Sequence, residues 1–240
     1  MIINNENVKV LTIKTLTDRH QAINNSFIEK GIPYSFEYED YVSIKNSNKI
    51  ITVETPNFKF PFNIDIFKRV ATREYIGMGE LCITATHFDV FGKLLKSPYD
   101  FFVIFEDDAK PLINGINLDA LIQEWQTTDS DMFYMQSQCP WSKRKKTFTC
   151  GEQVSPHLVS IDQTMDFSGS SAYAINKKGA QKILSFVEKH GMINIIDSMI
   201  KNMIVYNNVK VVTSLNYHNL FDLEDNNSTH REYNFAIKIS

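Results

Sequence analysis

The chain is short of cysteine, of net charge and of long apolar runs, and each shortage removes a class of function. Its three cysteines, Cys82, Cys139 and Cys150, have neither zinc-ribbon nor zinc-finger spacing. A sparse, odd count fits reduced thiols and a cytoplasmic location. The formal net charge is −3, so no global field draws the chain onto nucleic acid or anionic lipid. No apolar stretch is long enough to span a bilayer, and Met1 to Asn7 lacks the basic region and apolar core of a signal peptide. Repeats and low-complexity linkers are missing too. The 240 residues therefore read as one domain, residues 1–240, with enough chain to bury a sizeable core.

What is present is most informative at Phe101-Phe102-Val103-Ile104-Phe105-Glu106-Asp107-Asp108-Ala109. An apolar run rich in aromatic and β-branched residues predicts a strand buried on both faces. Carboxylates at the end of such a strand are costly unless they are paired or hold a metal. In open α/β sheets the ends of parallel strands are also where ligands sit. Strand alternation puts Glu106 and Asp108 on one side and Asp107 on the other. Oxygen ligands favour Mg²⁺ or Mn²⁺, which leave coordination positions open for substrate phosphates. Asp108 is the best-placed ligand, Glu106 a second ligand or its support, and Asp107 an acceptor for a ribose or sugar hydroxyl. The alternative is a solvated loop whose carboxylates cap the next helix.

Periodicity around this strand predicts alternating strands and helices, hence an α/β layered domain. Val8 to Ile13 reads as a strand, Asp18 as the N-cap of a helix with Gln21 as its capping-box partner, and Gly31 as the stop. A strand near Tyr34 to Tyr38 completes a βαβ opening. Residues 39–61 read as hairpin or loop, turning at Asn46-Ser47-Asn48. A long helix is expected from Gly79 to Lys96, with Leu81, Ala85, Phe88, Phe91 and Leu95 facing the core. Strands are expected at 131–135, 172–175 and 209–213, and helices after Ile175 and over 196–205.

Other residues carry chemistry with a plain alternative beside each. Glu80, Thr84 and His87 form a polar stripe on the long helix; it would contact a nucleotide or diphosphate, face solvent, or hold a histidine satisfied by a neighbouring carboxylate. Asp197, at a helix start, would act as general base for an acceptor hydroxyl, or stabilise the helix dipole. His218 and His230 would fold back as metal ligands, although neither has partners at fixed spacing. Lys143 to Lys146 would reach a diphosphate or an acidic acceptor, make a small nucleic-acid patch against an acidic background, or form a solvated loop. Trp125 and Trp141 would stack on a base or sugar, but Trp125 lies at helical spacing with Leu121 and reads as packing. Ser168-Gly169-Ser170-Ser171 would let backbone approach a ligand, or simply turn.

Four blocks, in order, resemble glycosyltransferase family 25, the group containing lipooligosaccharide and procollagen galactosyltransferases. They are Leu11 to Arg19; Gly79-Glu80-Leu81 with Thr86-His87; Ile104 to Ala109; and Gly169 to Ile175 with Lys178-Gly179-Ala180, after which Ile196-Asp197 falls where the family often has Val/Ile-Asp. Departures from the family pattern are Thr12 for Asn, Thr15 for Arg, a missing second Gly in the second block, and Ile195 for Pro. The resemblance implies a GT-A-type, Rossmann-like α/β domain with a mostly parallel sheet flanked by helices. It also implies a UDP-sugar donor, Mn²⁺ (or Mg²⁺), inversion at the anomeric carbon, and a glycan or glycosylated protein as acceptor. The assignments are then Asp197 as catalytic base; Glu80, His87, Asp107 and Thr12 for the donor; and Asp108, Glu106 and His218 for the metal. Two rivals stay open: a non-catalytic nucleotide-sugar or glycan-binding module on the same fold, and a metal-dependent nucleotidyl transferase.

Overall fold

Phe101 to Phe105 are buried along their whole length, and the central sheet is built around them. The computed structural model describes residues 1–38, 43–47, 50–71, 75–135, 151–161, 169–206, 209–215, 220–223 and 236–238. His218, His230, Trp141, Cys139, Cys150, Ser168, Asn48 and the basic run 143–146 lie outside the described residues.

The chain opens with β1 (Val8–Thr12), α1 (Thr17–Glu29) and β2 (Ser35–Tyr38), the expected βαβ unit, with β1 and β2 parallel. Asp18 is not the cap of α1. Leu16 holds that position without a side-chain bond, and Asp18 sits inside the first turn, where its charge still suits the helix dipole. Gly31 ends the segment at φ 65°, a left-handed conformation that glycine adopts at little cost. An antiparallel sheet follows, of β3 (Ser43–Ser47), β4 (Ile50–Glu54) and β5 (Lys59–Asn63). Next come α2 (Ile64–Ala71), β6 (Tyr75–Gly77), α3 (Met78–Lys96), β7 (Phe101–Glu106), β8 (Ala109–Pro111) and α4 (Gly115–Gln126). The rest of the chain forms β9 (Met132–Tyr134), β10 (Leu158–Ser160), β11 (Ala172–Asn176), α5 (Lys177–His190), α6 (Ile196–Val205), β12 (Val211–Ser214), β13 (Phe221–Leu223) and β14 (Ala236–Lys238).

The main sheet has seven strands in the order β10-β12-β9-β11-β7-β1-β2. Strands β1, β2, β7, β9 and β12 run one way; β10 and β11 run the other. The sheet is thus mostly parallel and flanked by helices on both faces. Alternation along β7 divides the core. Phe101, Val103 and Phe105 face Ile23 and Phe27 of α1 and Leu118, Ile122 and Trp125 of α4. Phe102 and Ile104 face α3, α5 and α6, through residues such as Phe88, Phe91, Ile183, Val187 and Met199. Trp125 is core, as its spacing with Leu121 predicts. The β4–β5 pair covers the outside of α3, where the Phe60 ring meets Phe88 edge-on at 5.1 Å. Among the described residues no helix is long and apolar enough to cross a membrane.

Candidate active site

Parallel strands β1 and β7 end side by side, with Leu11 opposite Glu106. Antiparallel β11 starts at the same edge, where the Glu106 N–H donates to the Ser171 carbonyl at 2.9 Å. Strand geometry stops at Glu106; Asp107 and Asp108 lie in the turn that follows. Three consecutive carboxylates therefore leave one strand end in different directions and meet different neighbours.

Asp107 turns toward the opening βαβ unit. The Thr12 hydroxyl donates to Asp107 Oδ2 at 2.7 Å, and Arg19 of α1 forms an ion pair with Oδ1. Thr12 stands in register with Tyr38 at this edge. His20 Nε2 lies 3.2 Å from the Thr12 hydroxyl, and the His20 ring sits against Phe36 and Tyr38.

Glu106 turns the other way, toward α3 and β11. His87 Nε2 is 3.2 Å from Glu106 Oε1, and the Ser170 hydroxyl donates to the same oxygen. His87 Nδ1 is 2.6 Å from the Tyr173 hydroxyl. His87 and Tyr173 are both fully buried. Burial raises the Tyr173 phenol well above its ordinary pKa, and the charges of Glu106 and Asp197 push the same way.

Asp108 is left with the poorest match. Its Oδ1 is buried and has no hydrogen-bond partner. Burial foremost, then the charges of Glu106 and Asp107, push its carboxyl up to about 7; Arg19 and a hydrogen bond from Ser171 oppose the shift. An orphaned acid oxygen among carboxylates is where an added cation gains most. Among the described residues no three His, Cys, Asp or Glu side chains converge as a metal cage. A hard divalent ion bound by one or two carboxylates plus substrate phosphates needs no such cage, so the donor set fits Mg²⁺ or Mn²⁺ in that mode. His218, the expected third ligand, lies outside the described residues.

The α3 stripe is neither solvated nor aligned along one open face. Glu80 makes the return half of a capping box: its Oε2 accepts from the Gly77 N–H at 3.0 Å, and Gly77 has no side chain to make the other half. The Thr84 hydroxyl donates to the Glu80 carbonyl at 2.7 Å and accepts from the Ile196 N–H at 3.1 Å, docking the start of α6 on α3. That contact places Asp197 in the first turn of α6, with Oδ1 2.5 Å from the Ser170 hydroxyl. The fold thus gathers Glu106, His87 and Asp197 into one hydrogen-bonded group and Asp107 and Thr12 into another, with Asp108 beside both carboxylates of its own turn. Sequence reasoning passed over Arg19, Tyr173 and the individual role of Ser170. Arg19 lies in the first of the four family-like blocks and Ser170 in the small polar block, but neither shows its partner by spacing.

Comparison with known proteins adds the following. The family model described as glycosyltransferase family 25 (LPS biosynthesis protein) matches residues 6–200. Among solved structures, that of mouse xyloside xylosyltransferase 1, apo form, is similar at 11% identity and a TM-score of 0.38, over 83% of this chain and 68% of that one. No curated protein matches the sequence.

Proposed function

Since the chain belongs to glycosyltransferase family 25, we propose that it transfers a hexose from a UDP-sugar, with inversion and with a divalent cation, to a hydroxyl of a glycan or protein-linked acceptor. The observation that carries this reading is the buried, unpartnered Asp108 Oδ1 just after β7, where the neighbouring carboxylates of Glu106 and Asp107 are already engaged. We read residues 1–240 as a single catalytic domain of the GT-A type.

Asp108, with Glu106 behind it, would hold Mn²⁺ or Mg²⁺. When bound, the ion supplies positive charge against the diphosphate leaving group. Thr12, with Asp107, would meet the nucleoside, and the half-exposed Tyr38 ring, in register with Thr12, would offer it an apolar face. Asp197 accepts the proton of the acceptor hydroxyl as that oxygen bonds to the anomeric carbon and the bond from the anomeric carbon to the UDP oxygen breaks. The proton goes to Asp197, the bonding pair leaves with UDP, and attack from the opposite side inverts the centre. His87 touches no open surface, so its part is to orient Glu106 rather than to meet the donor. Glu80 acts in the same indirect way, by capping α3.

The test is UDP release from a panel of UDP-hexoses, with mono- and disaccharide acceptors, in the presence and absence of Mn²⁺. Transfer that needs the ion and falls about 100-fold or more in Asp197→Asn supports the reading. UDP-sugar binding with no turnover across the panel selects the binding module instead. A preference for nucleoside triphosphates selects the nucleotidyl transferase.

A further inference from the structure

One small side chain joins the end of β7 to the start of α6. Ser170 is 2% exposed and follows Gly169, whose φ of 107° sets a turn that a residue with a Cβ rarely adopts. The Ser170 hydroxyl lies against two carboxylates at once, Glu106 Oε1 and Asp197 Oδ1. Glu106 is held from behind by His87, and His87 by Tyr173.

The polarity of this chain follows from the donor inventory. An ionised carboxylate only accepts, so the His87 nitrogen facing Glu106 carries the hydrogen. With the ring hydrogen on that nitrogen, the other one faces the Tyr173 hydroxyl as an acceptor. Ser170 has a single hydrogen, which the two carboxylate oxygens share in a three-centre bond. Bringing two acidic groups to one hydroxyl does not favour folding, because like charges in a buried setting oppose each other. What the arrangement does provide is a stiff support, reaching from β11 through α3 and β7, for a carboxylate at the first turn of a helix.

Resting on the glycosyl-transfer reading above, we propose that Ser170 is a positioning residue for Asp197. Its hydrogen bond fixes the orientation of the carboxylate that takes the acceptor proton, and Glu106, His87 and Tyr173 fix Ser170 in turn.

The experiment compares wild type, Ser170→Ala and Ser170→Thr. It measures kcat and KM for UDP release from the best UDP-hexose of the panel with Mn²⁺, the calorimetric Kd for UDP, and the melting temperature. Ser170→Ala should lose about 10- to 100-fold in kcat, the scale of a misplaced catalytic group, with UDP affinity within about twofold of wild type. Ser170→Thr, which keeps the hydroxyl, should recover most of the rate. The proposal is overturned if Ser170→Ala keeps its kcat, or if UDP binding falls in parallel with rate, which would make Ser170 a prop for the whole site. It is also overturned if Ser170→Thr binds UDP normally yet is as slow as Ser170→Ala. A wild-type protein that releases UDP from no UDP-hexose overturns the glycosyl-transfer reading itself, and the role of Ser170 falls with it.

Discussion

Arg19 of α1 is ion-paired with Asp107, the middle one of three consecutive carboxylates at the end of β7. The pair is mostly buried, with side-chain exposures of 19% and 10%. It gives Asp107 a cation from the protein, while Asp108 keeps a buried oxygen with no hydrogen-bond partner.

Arg19→Gln therefore acts at two levels. Leaving Asp107 partly buried and uncompensated should cost about 1–3 kcal/mol of stability, measured by urea unfolding. Arg19 also opposes the upward shift at Asp108, so its loss should raise that pKa further. Mn²⁺ binding near neutral pH should then weaken in calorimetry. A variant that binds Mn²⁺ as tightly as wild type at every pH would show that Arg19 and Asp108 are not coupled.

Asp108 sets a pH dependence whose sign can be worked out. Its pKa rises on folding from 3.8 to about 7, so the folded state binds this proton more tightly than the unfolded chain does. Its contribution to stability is fully present below the unfolded value and is lost as pH climbs through about 7. Without metal, the melting temperature of wild type should fall relative to that of Asp108→Asn over this window. Metal binding needs the ionised carboxyl, so Mn²⁺ should raise the melting temperature more at about pH 8 than at about pH 5.5. Equal stabilisation at both values would rule out Asp108 as the ligand.

Tyr173→Phe removes the hydroxyl that faces His87 Nδ1 at 2.6 Å in a fully buried setting. The orphaned acceptor should cost about 1–3 kcal/mol in denaturant unfolding. His87→Phe, which removes the polar group instead, leaves Glu106 with one partner fewer. The double variant should cost less than the sum of the two, because the shared contact is lost only once.

Gly115→Ala tests the packing of α4 against the end of α1. A Cβ at Gly115 would stand 2.1 Å from the Gly31 carbonyl oxygen, in a stretch where the Gly115 N–H donates to the Lys30 carbonyl at 2.7 Å. Backbone must move to admit the methyl group, and a loss of about 1–3 kcal/mol is expected. A neutral substitution would mean that the turn after α1 yields freely.

The βαβ opening, the long helix α3, β7 and the helices α5 and α6 were legible because each is written in a local period. Helix ends were right to within a residue or two where they were marked, at Gly31 after α1 and at Lys96 for α3. The short strands β8, β10 and β13 were not legible. They are three residues each, too short for alternation to register, and they exist only because distant edges accept their hydrogen bonds. The stripe Glu80-Thr84-His87 was seen as one face, and its spacing is real. Spacing does not tell what lies opposite, and here it is α6 and β7 rather than solvent.

By itself the sequence determined the α/β alternation, the buried strand that ends in acid, and the family, since these depend on residue order along the chain. Which carboxylate keeps an unpartnered oxygen was decided only in three dimensions. The groups that engage Asp107 and Glu106 come from Thr12, Arg19 and Ser170, at sequence separations of 95, 88 and 64 residues. A charge is matched or left unmatched by what packs beside it, and no local pattern around residues 106–108 records those neighbours.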